Sequence, residues 1–339
     1  MKKKKRLFNA LLLFVILALT IWSVMRGEDI GALLEYLRMA DAGCVAAGIG
    51  CVVLFIIGES VVIRYLLASL GLRPKFTHCC LYSFIGFFYS CITPSASGGQ
   101  PMQVVAMRKD DIPVAVSSVV LAIVTITYKL VLVVLGSLVM LLRPAGIMVY
   151  LDHLDGLIYL GLGLNVICIA LLLLLVFSPA IVRRAAAWGI SCGLRLRLLR
   201  NREKLDNKLD ELMLQYTGAA DYYRAHKVVI LNVFLITLVQ RLILFLVTWF
   251  AYRAFGLSGE SVVVLILLQA MISVTVDMLP LPGGMGISEN LFLQIFLPIF
   301  GSALVLPGMV ISRGISYYTQ LLLSAVMTIV AAFVLRRHK

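Results

Sequence analysis

CITPSASGGQPMQ, residues 91–103, interrupts an apolar sequence with two prolines, adjacent glycines and a series of hydroxyl and amide side chains. A counterpart, MLPLPGGMGISE at 278–289, does the same near the other end of the chain. The flanking sequence decides what such a break means. The 339-residue chain is 61% hydrophobic, has a mean hydropathy of +1.01 and is only 14% charged. Soluble domains carry about one-quarter charged residues, so this is the composition of a membrane protein. Irregular, polar backbone at membrane depth is tolerated only where it is buried in protein or lines a watery cavity.

Apolar runs of about 17 to 25 residues mark membrane-spanning helices. Leu7–Met25, Cys44–Leu70, Ile112–Leu142, Leu157–Ser178, Val228–Phe255 and Met309–Leu335 meet that length. Three shorter runs, Cys79–Thr93, Val262–Leu279 and Ser288–Leu306, flank the two breaks. The opening MKKKKR with its long apolar run reads as an uncleaved anchor, because no small-x-small cleavage site follows. The expected fold is all-α and polytopic: about six full spans plus two Gly-Gly hairpins, re-entrant or short-spanning.

The formal charge of +13 is unevenly placed. Ten Lys or Arg residues fall in 179–227, four lysines open the chain, and RRHK closes it. This is the positive-inside pattern, a topology and lipid-surface signal rather than a nucleic-acid site. It puts both termini in the cytoplasm of a multi-pass bacterial plasma-membrane protein. The acidic residues Glu203, Asp206, Asp210 and Glu211 give part of the basic loop the look of a surface helix. With RKDD at 108–111 also cytoplasmic, 79–107 starts and ends on one side, as a re-entrant hairpin does. The region 262–306 carries no Lys or Arg, so hairpin and paired spans both satisfy the charge rule there.

An internal repeat favours the hairpin. Each half runs helix, loop, helix, Gly-Gly hairpin, helix, and IRYLLASLGL (63–72) resembles AYRAFGLS (251–258). The expected division is a first half at 1–178, the basic loop at 179–227, and a second half at 228–339 entered from the opposite side. Inverted repeats with broken helices meeting at the midplane characterise many secondary transporters.

Candidate path residues follow from the breaks: Thr93, Ser95, Ser97, Gly98, Gly99, Gln100 and Gln103 in the first. In the second they are Pro280, Pro282, Gly283, Gly284, Gly286 and Glu289. Small residues also permit close helix packing, but packing alone does not call for the prolines, amides and hydroxyls. Glu59, Lys129, Gln240, Arg241, Asp277 and Arg313 fall at depth within or beside apolar segments. Two readings stand side by side. One is a set of internal ion pairs, such as Glu59 with Lys129 or Asp277 with Arg241. The other is a polar path for an anionic headgroup, helped by the free N–H groups where a helix restarts after each Gly-Gly.

Seven scattered cysteines without C-x-x-C spacing read as packing residues, and four histidines at helix ends offer no metal site. No cofactor is expected. The phosphate loop G-x-x-x-x-G-K-[ST] and H-E-x-x-H are both missing, which argues against ATP hydrolysis and against autonomous enzyme chemistry.

On TPSASGGQPMQ (93–103), LPLPGGMGISE (279–289) and SRGISYY (312–318), the chain resembles the lysylphosphatidylglycerol synthase transmembrane-region family. That family includes the flippase domain of the bacterial multiple peptide resistance factor, an antibiotic-resistance protein. The resemblance implies movement of a lipid, such as aminoacylated phosphatidylglycerol or a related anionic lipid or glycolipid, between leaflets. Full-length members add a soluble lysyltransferase domain. Only RRHK follows the last helix here, so these 339 residues are not expected to perform that transfer. Two alternatives remain: a membrane subunit working with a separate aminoacyl-lipid synthase, and a small-anion secondary transporter.

The hairpin reading has a direct test. A Ser97→Cys variant in a cysteine-depleted chain is expected to resist an impermeant thiol reagent added outside intact cells. Ready labelling from outside removes the first hairpin.

Overall fold

The computed structural model describes residues 30–93, 96–151, 153–195, 202–281 and 284–335. The expected span at Leu7–Met25 and the terminal RRHK lie outside the described residues. So do Ser95, Pro282 and Gly283. Within the described residues the protein is helical, and five helices are long and apolar enough to cross a membrane.

After a short helix α1 (Ile30–Met39), the first of these is α2, Ala42–Ser69. Asp41 caps it by accepting the Cys44 N–H at 2.7 Å, a bond that holds the Asp41 carboxyl below its usual range. Next come the short α3 (Phe76–Cys91) and α4 (Gly99–Arg108), with the first break between them. The long α5 (Val114–Leu142) follows, then the short α6 (Ala145–Leu151) and the span α7 (Asp155–Phe177). The basic segment forms two helices, α8 (Pro179–Arg195) and α9 (Arg202–Ala225). Arg183 and Asp210 join them at 2.7 Å, and buried Tyr223 docks α9 on the body by donating to the Leu66 carbonyl at 2.8 Å.

A long α10 (Lys227–Ala254) precedes α11 (Val262–Val276), the second break and α12 (Ile287–Arg313). A six-residue π-helical stretch, Gly314–Thr319, leads into α13 (Gln320–Val334). The likeness between 63–72 and 251–258 has a conformational cause. Both α2 and α10 end on a glycine in the left-handed region, Gly71 at φ 83° and Gly256 at φ 73°, where a Cβ is disfavoured.

Side-chain contacts bring together the segments that flank each break. Asp110, just beyond α4, pairs with His78 Nδ1 at 2.7 Å and accepts from Tyr82 Oη, so the two ends of segment 76–110 meet. In the second half, Tyr252 closes the equivalent gap. Its hydroxyl accepts the Gly259 N–H at 2.8 Å while its ring packs edge-on against Phe300 at 5.4 Å. Phe292, Phe296 and Phe300 stack beneath it in the larger core, together with Phe245, Leu268 and Met271.

One boundary differs from the sequence expectation. Residues 288–306 and 309–335 read as separate elements, but helix continues from Ile287 to Val334 with a single sharp interruption at Gly301 (φ 75°, ψ 164°). Pro298 loosens the preceding turn by removing a donor, and glycine takes the backbone angles that turn the chain. The helix from there to Val334 is about 50 Å long at 1.5 Å per residue.

Three helices approach closely at Gly136 and Gly161. A Cβ on Gly161 meets the Val274 carbonyl oxygen at 2.6 Å and Thr275 Cα at 2.7 Å, both backbone atoms of α11. Two residues on, Gly163 faces open space. Gly161→Leu is therefore expected to destabilise the folded protein by at least ~1–3 kcal/mol, the usual cost of overpacking. Gly163→Leu serves as the control, with little change in the thermal midpoint in detergent.

Candidate functional site: a polar cavity between the two breaks

The described parts of the two breaks follow the same backbone course. Ala96 (φ 53°) and Gly284 (φ 66°) occupy the same place in it, and each is followed by a turn and the start of a helix. The long helix of each half then reaches across to the opposite break. Lys129 lies 31 residues after Gly98, and Tyr317 lies 31 residues after Gly286. Lys129 Nζ donates to Asp277 Oδ2 at 2.6 Å and approaches Met278 Sδ at 2.9 Å, at the end of α11. Tyr317 Oη donates to the Cys91 carbonyl at 2.9 Å, at the end of α3.

Between these tethers lies a cavity of about 510 Å³, lined by α2, α3, α5, α7, α10, α11, the last helix and both breaks. Of the path residues singled out in the sequence, Ser97, Gln100, Gln103 and Gly284 line it, as do all six depth residues: Glu59, Lys129, Gln240, Arg241, Asp277 and Arg313. Thr93, Gly98, Gly99, Pro280, Gly286 and Glu289 do not line it. Thr93 Oγ1 accepts the Gly98 N–H at 2.9 Å and donates to the Tyr89 carbonyl at 2.7 Å. Gly99 is a packing glycine, since a Cβ there meets the Gly86 carbonyl at 2.7 Å. Pro280 is exposed.

The ion pairs differ from both examples drawn from the sequence. Lys129 pairs with Asp277, not with Glu59, and Asp277 also accepts from Tyr128 Oη. Arg313 Nε donates to Glu289 Oε1 at 2.8 Å. Glu289 Oε2 accepts the Gly286 N–H at 2.7 Å and the Ser288 hydroxyl at 3.0 Å. That carboxylate caps the helix start from the third position of α12, so the protein's own acid takes a first-turn N–H that the sequence reading offered to a guest. Gln103 Nε2 donates to Glu59 Oε1 at 2.8 Å, and Gln100 bonds Thr125.

Arg241 is the cation left over. Its guanidinium carbon lies 4.1 Å from the Tyr128 ring centre and 5.0 Å from that of Phe55. Aromatic faces hold a cation without using its N–H donors. No described carboxylate lies within ion-pair distance, and its buried Nε has no hydrogen-bond partner. An unmet buried donor costs about 1–3 kcal/mol, so this group is poised for an acceptor. The neighbouring Gln240 is structural by contrast. It donates to the Phe55 carbonyl at 2.8 Å and packs its side chain into the space left by Gly58.

Sequence reasoning missed Asn165, fully buried in α7. Its amide donates to the Gly161 carbonyl at 2.9 Å and the Val274 carbonyl at 3.2 Å, while its oxygen lies 3.5 Å from Lys129 Nζ. An amide amid eight-residue apolar surroundings was the available signal. Gln269 and Gln320, also lining the cavity, gave a similar one. No cluster of three or more metal-ligating side chains occurs among the described residues.

A helical, multi-pass membrane protein with a polar internal cavity is the class this geometry defines. The match to the family described as Lysylphosphatidylglycerol synthase TM region extends over residues 10–324, so the chain belongs to that family, a group of membrane proteins of lipid metabolism. No curated protein sequence matches the chain.

Removing one partner of a buried ion pair typically costs 3–5 kcal/mol, whereas replacing both by apolar groups is often neutral. Lys129→Met is accordingly expected to destabilise the protein by ~3–5 kcal/mol, and adding Asp277→Leu to recover most of it. Thermal unfolding of the single and double variants in detergent measures the coupling. Additive losses would mean that the 2.6 Å pair does not hold the second break.

Proposed function

We propose that the protein is a lipid translocase of the bacterial plasma membrane, moving a lipid with an anionic headgroup between leaflets. Both termini are cytoplasmic in this reading, and the two breaks are re-entrant hairpins related by an inverted repeat. The observation that carries it is Arg241: a guanidinium held between two rings at a polar cavity, with no carboxylate in contact. The cavity is lined from both breaks, so one headgroup there touches both halves of the chain. Family membership supports a lipid as the guest. A central Arg costs about 2.5–3.5 kcal/mol on insertion scales, a cost that a phosphate partner offsets.

Ser97, Gln100 and Gln103 from the first break, and Gly284 from the second, form the walls against which the headgroup slides. Acyl chains stay in lipid outside the helices, where α7 exposes Leu171 and Leu174 and the last helix exposes Val326, Ile329 and Phe333.

Arg241→Gln removes the anion's counter-charge while sparing the fold, because an amide is cheaper to bury than a guanidinium. Gly284→Leu acts differently. It forces a branched side chain onto a φ of 66° and towards Val276 Cγ2, which a Cβ already approaches to 3.1 Å. Both variants are expected to lose translocation in proteoliposomes with leaflet-resolved lipid readout, by at least tenfold. Only Gly284→Leu is expected to lower the thermal midpoint as well. Wild-type transport by folded Arg241→Gln would return Arg241 to a structural role.

A further inference from the structure

Two charged side chains line the cavity outside any ion pair among the described residues. Arg241 of α10 is one, and Glu59 of α2 is the other. Phe55, whose ring carries Arg241, lies one helical turn before Glu59 on the same face of α2. The remaining charges that face them are already neutralised in pairs, Lys129 with Asp277 and Arg313 with Glu289. The other titratable groups of the lining are Tyr128, Tyr317, Cys91 and Cys168. Tyr128 and Tyr317 are engaged by Asp277 and the Cys91 carbonyl.

Glu59 is held in a way that tolerates a proton. Its Oε1 accepts one bond, from Gln103 Nε2 at 2.8 Å, while Oε2 has no hydrogen-bond partner among the described residues. A protonated carboxyl keeps that acceptor and turns its O–H to the cavity. Gln103 is locked in place because Gly86 leaves room for it: a Cβ at Gly86 lies 2.5 Å from Gln103 Cδ. Among the described residues, the one acid of the cavity with an open oxygen is thus tied from α2 to α4 through Gln103.

These two residues are each other's compensation only while Arg241 has no anion. When a phosphodiester docks on the guanidinium, Glu59 becomes a second negative charge in the same confined space. Proton uptake restores the balance, because like charges disfavour the ionised form of a carboxyl. We propose that Glu59 is a proton-binding site coupled to the anion site at Arg241, so that each anionic headgroup occupies the cavity together with one proton. This rests on the translocase reading for the lipid, and it makes the proton gradient the driving force. The phosphodiester stays ionised throughout and no covalent bond changes.

The test uses the full chain in detergent, with dihexanoyl phosphatidylglycerol as the lipid probe and dimethyl phosphate as a soluble phosphodiester. Neither probe titrates near neutral pH, so any proton taken up is taken up by protein. Binding is followed by calorimetry, and proton uptake by a pH dye in weak buffer. The expected result is uptake approaching one proton per bound lipid. Affinity should fall by up to about tenfold per pH unit on the alkaline side, the slope of one-proton linkage. Glu59→Gln should abolish both the uptake and the slope, and Arg241→Gln should abolish binding of either probe. Equal binding of the two probes would assign the site to soluble phosphodiesters and overturn lipid–proton coupling. Lipid binding by wild type with no proton uptake overturns the coupling and leaves the translocase reading standing. Absence of lipid binding by folded wild type removes both. The wild-type measurement decides the matter even where Glu59→Gln fails to fold.

Discussion

Inside a membrane protein, every backbone group released by a broken helix must be satisfied by protein or by water in a cavity, because lipid offers no hydrogen bonds. The two breaks meet this constraint by mutual support. The long helix of the first half holds the second break through Lys129 and Asp277, and the long helix of the second half holds the first through Tyr317 and the Cys91 carbonyl. Each break is tethered by the opposite half, so the cavity between them is a product of assembly rather than of either segment. Thr93 at the first helix restart and Glu289 at the second complete the arrangement by capping from within the chain.

That internal capping bears on the helix starts. Had the helix starts been open, their N–H groups would be the natural anion site. One N–H at each start, that of Gly98 and that of Gly286, is instead taken by the chain itself, while Arg241, whose Nε has no hydrogen-bond partner among the described residues, sits on a spanning helix rather than on the breaks. The π-helical stretch at Gly314–Thr319 lies directly after Arg313 and includes Tyr317, where a widened turn changes the rotation of the helix between two site residues.

The breaks, most spanning helices and the depth charges were legible because each leaves a local mark: apolar length, proline and glycine, or an ionisable residue in an apolar run. Five expected spans coincide with the long helices, the last with a much earlier start. Pairing was not legible. Lys129 and Asp277 are separated by 148 residues, and the examples Glu59–Lys129 and Asp277–Arg241 drawn from position alone were both incorrect. A helix that is apolar nearly all round carries no polar stripe to fix its rotation, so depth can be read from sequence but facing cannot. The continuous helix through 306–309 escaped for a related reason. Pro307 looks like a boundary in sequence, yet Gly301 is where the backbone turns.

The sequence by itself determined that this chain lives in a membrane, breaks its backbone twice in the same manner, and carries more charge at depth than lipid tolerates. Those properties follow from composition and short-range pattern, which act on each segment independently. Only the tertiary structure decided which charges neutralise one another and which stay outside any ion pair. Ion pairing acts over a few ångströms, and helices distant in sequence reach that range only when packing at positions such as Gly136, Gly161 and Gly86 brings them together. Arg241 and Glu59 are distinguished from Lys129, Asp277, Arg313 and Glu289 by nothing in their local sequence, only by which side chains the fold places against them.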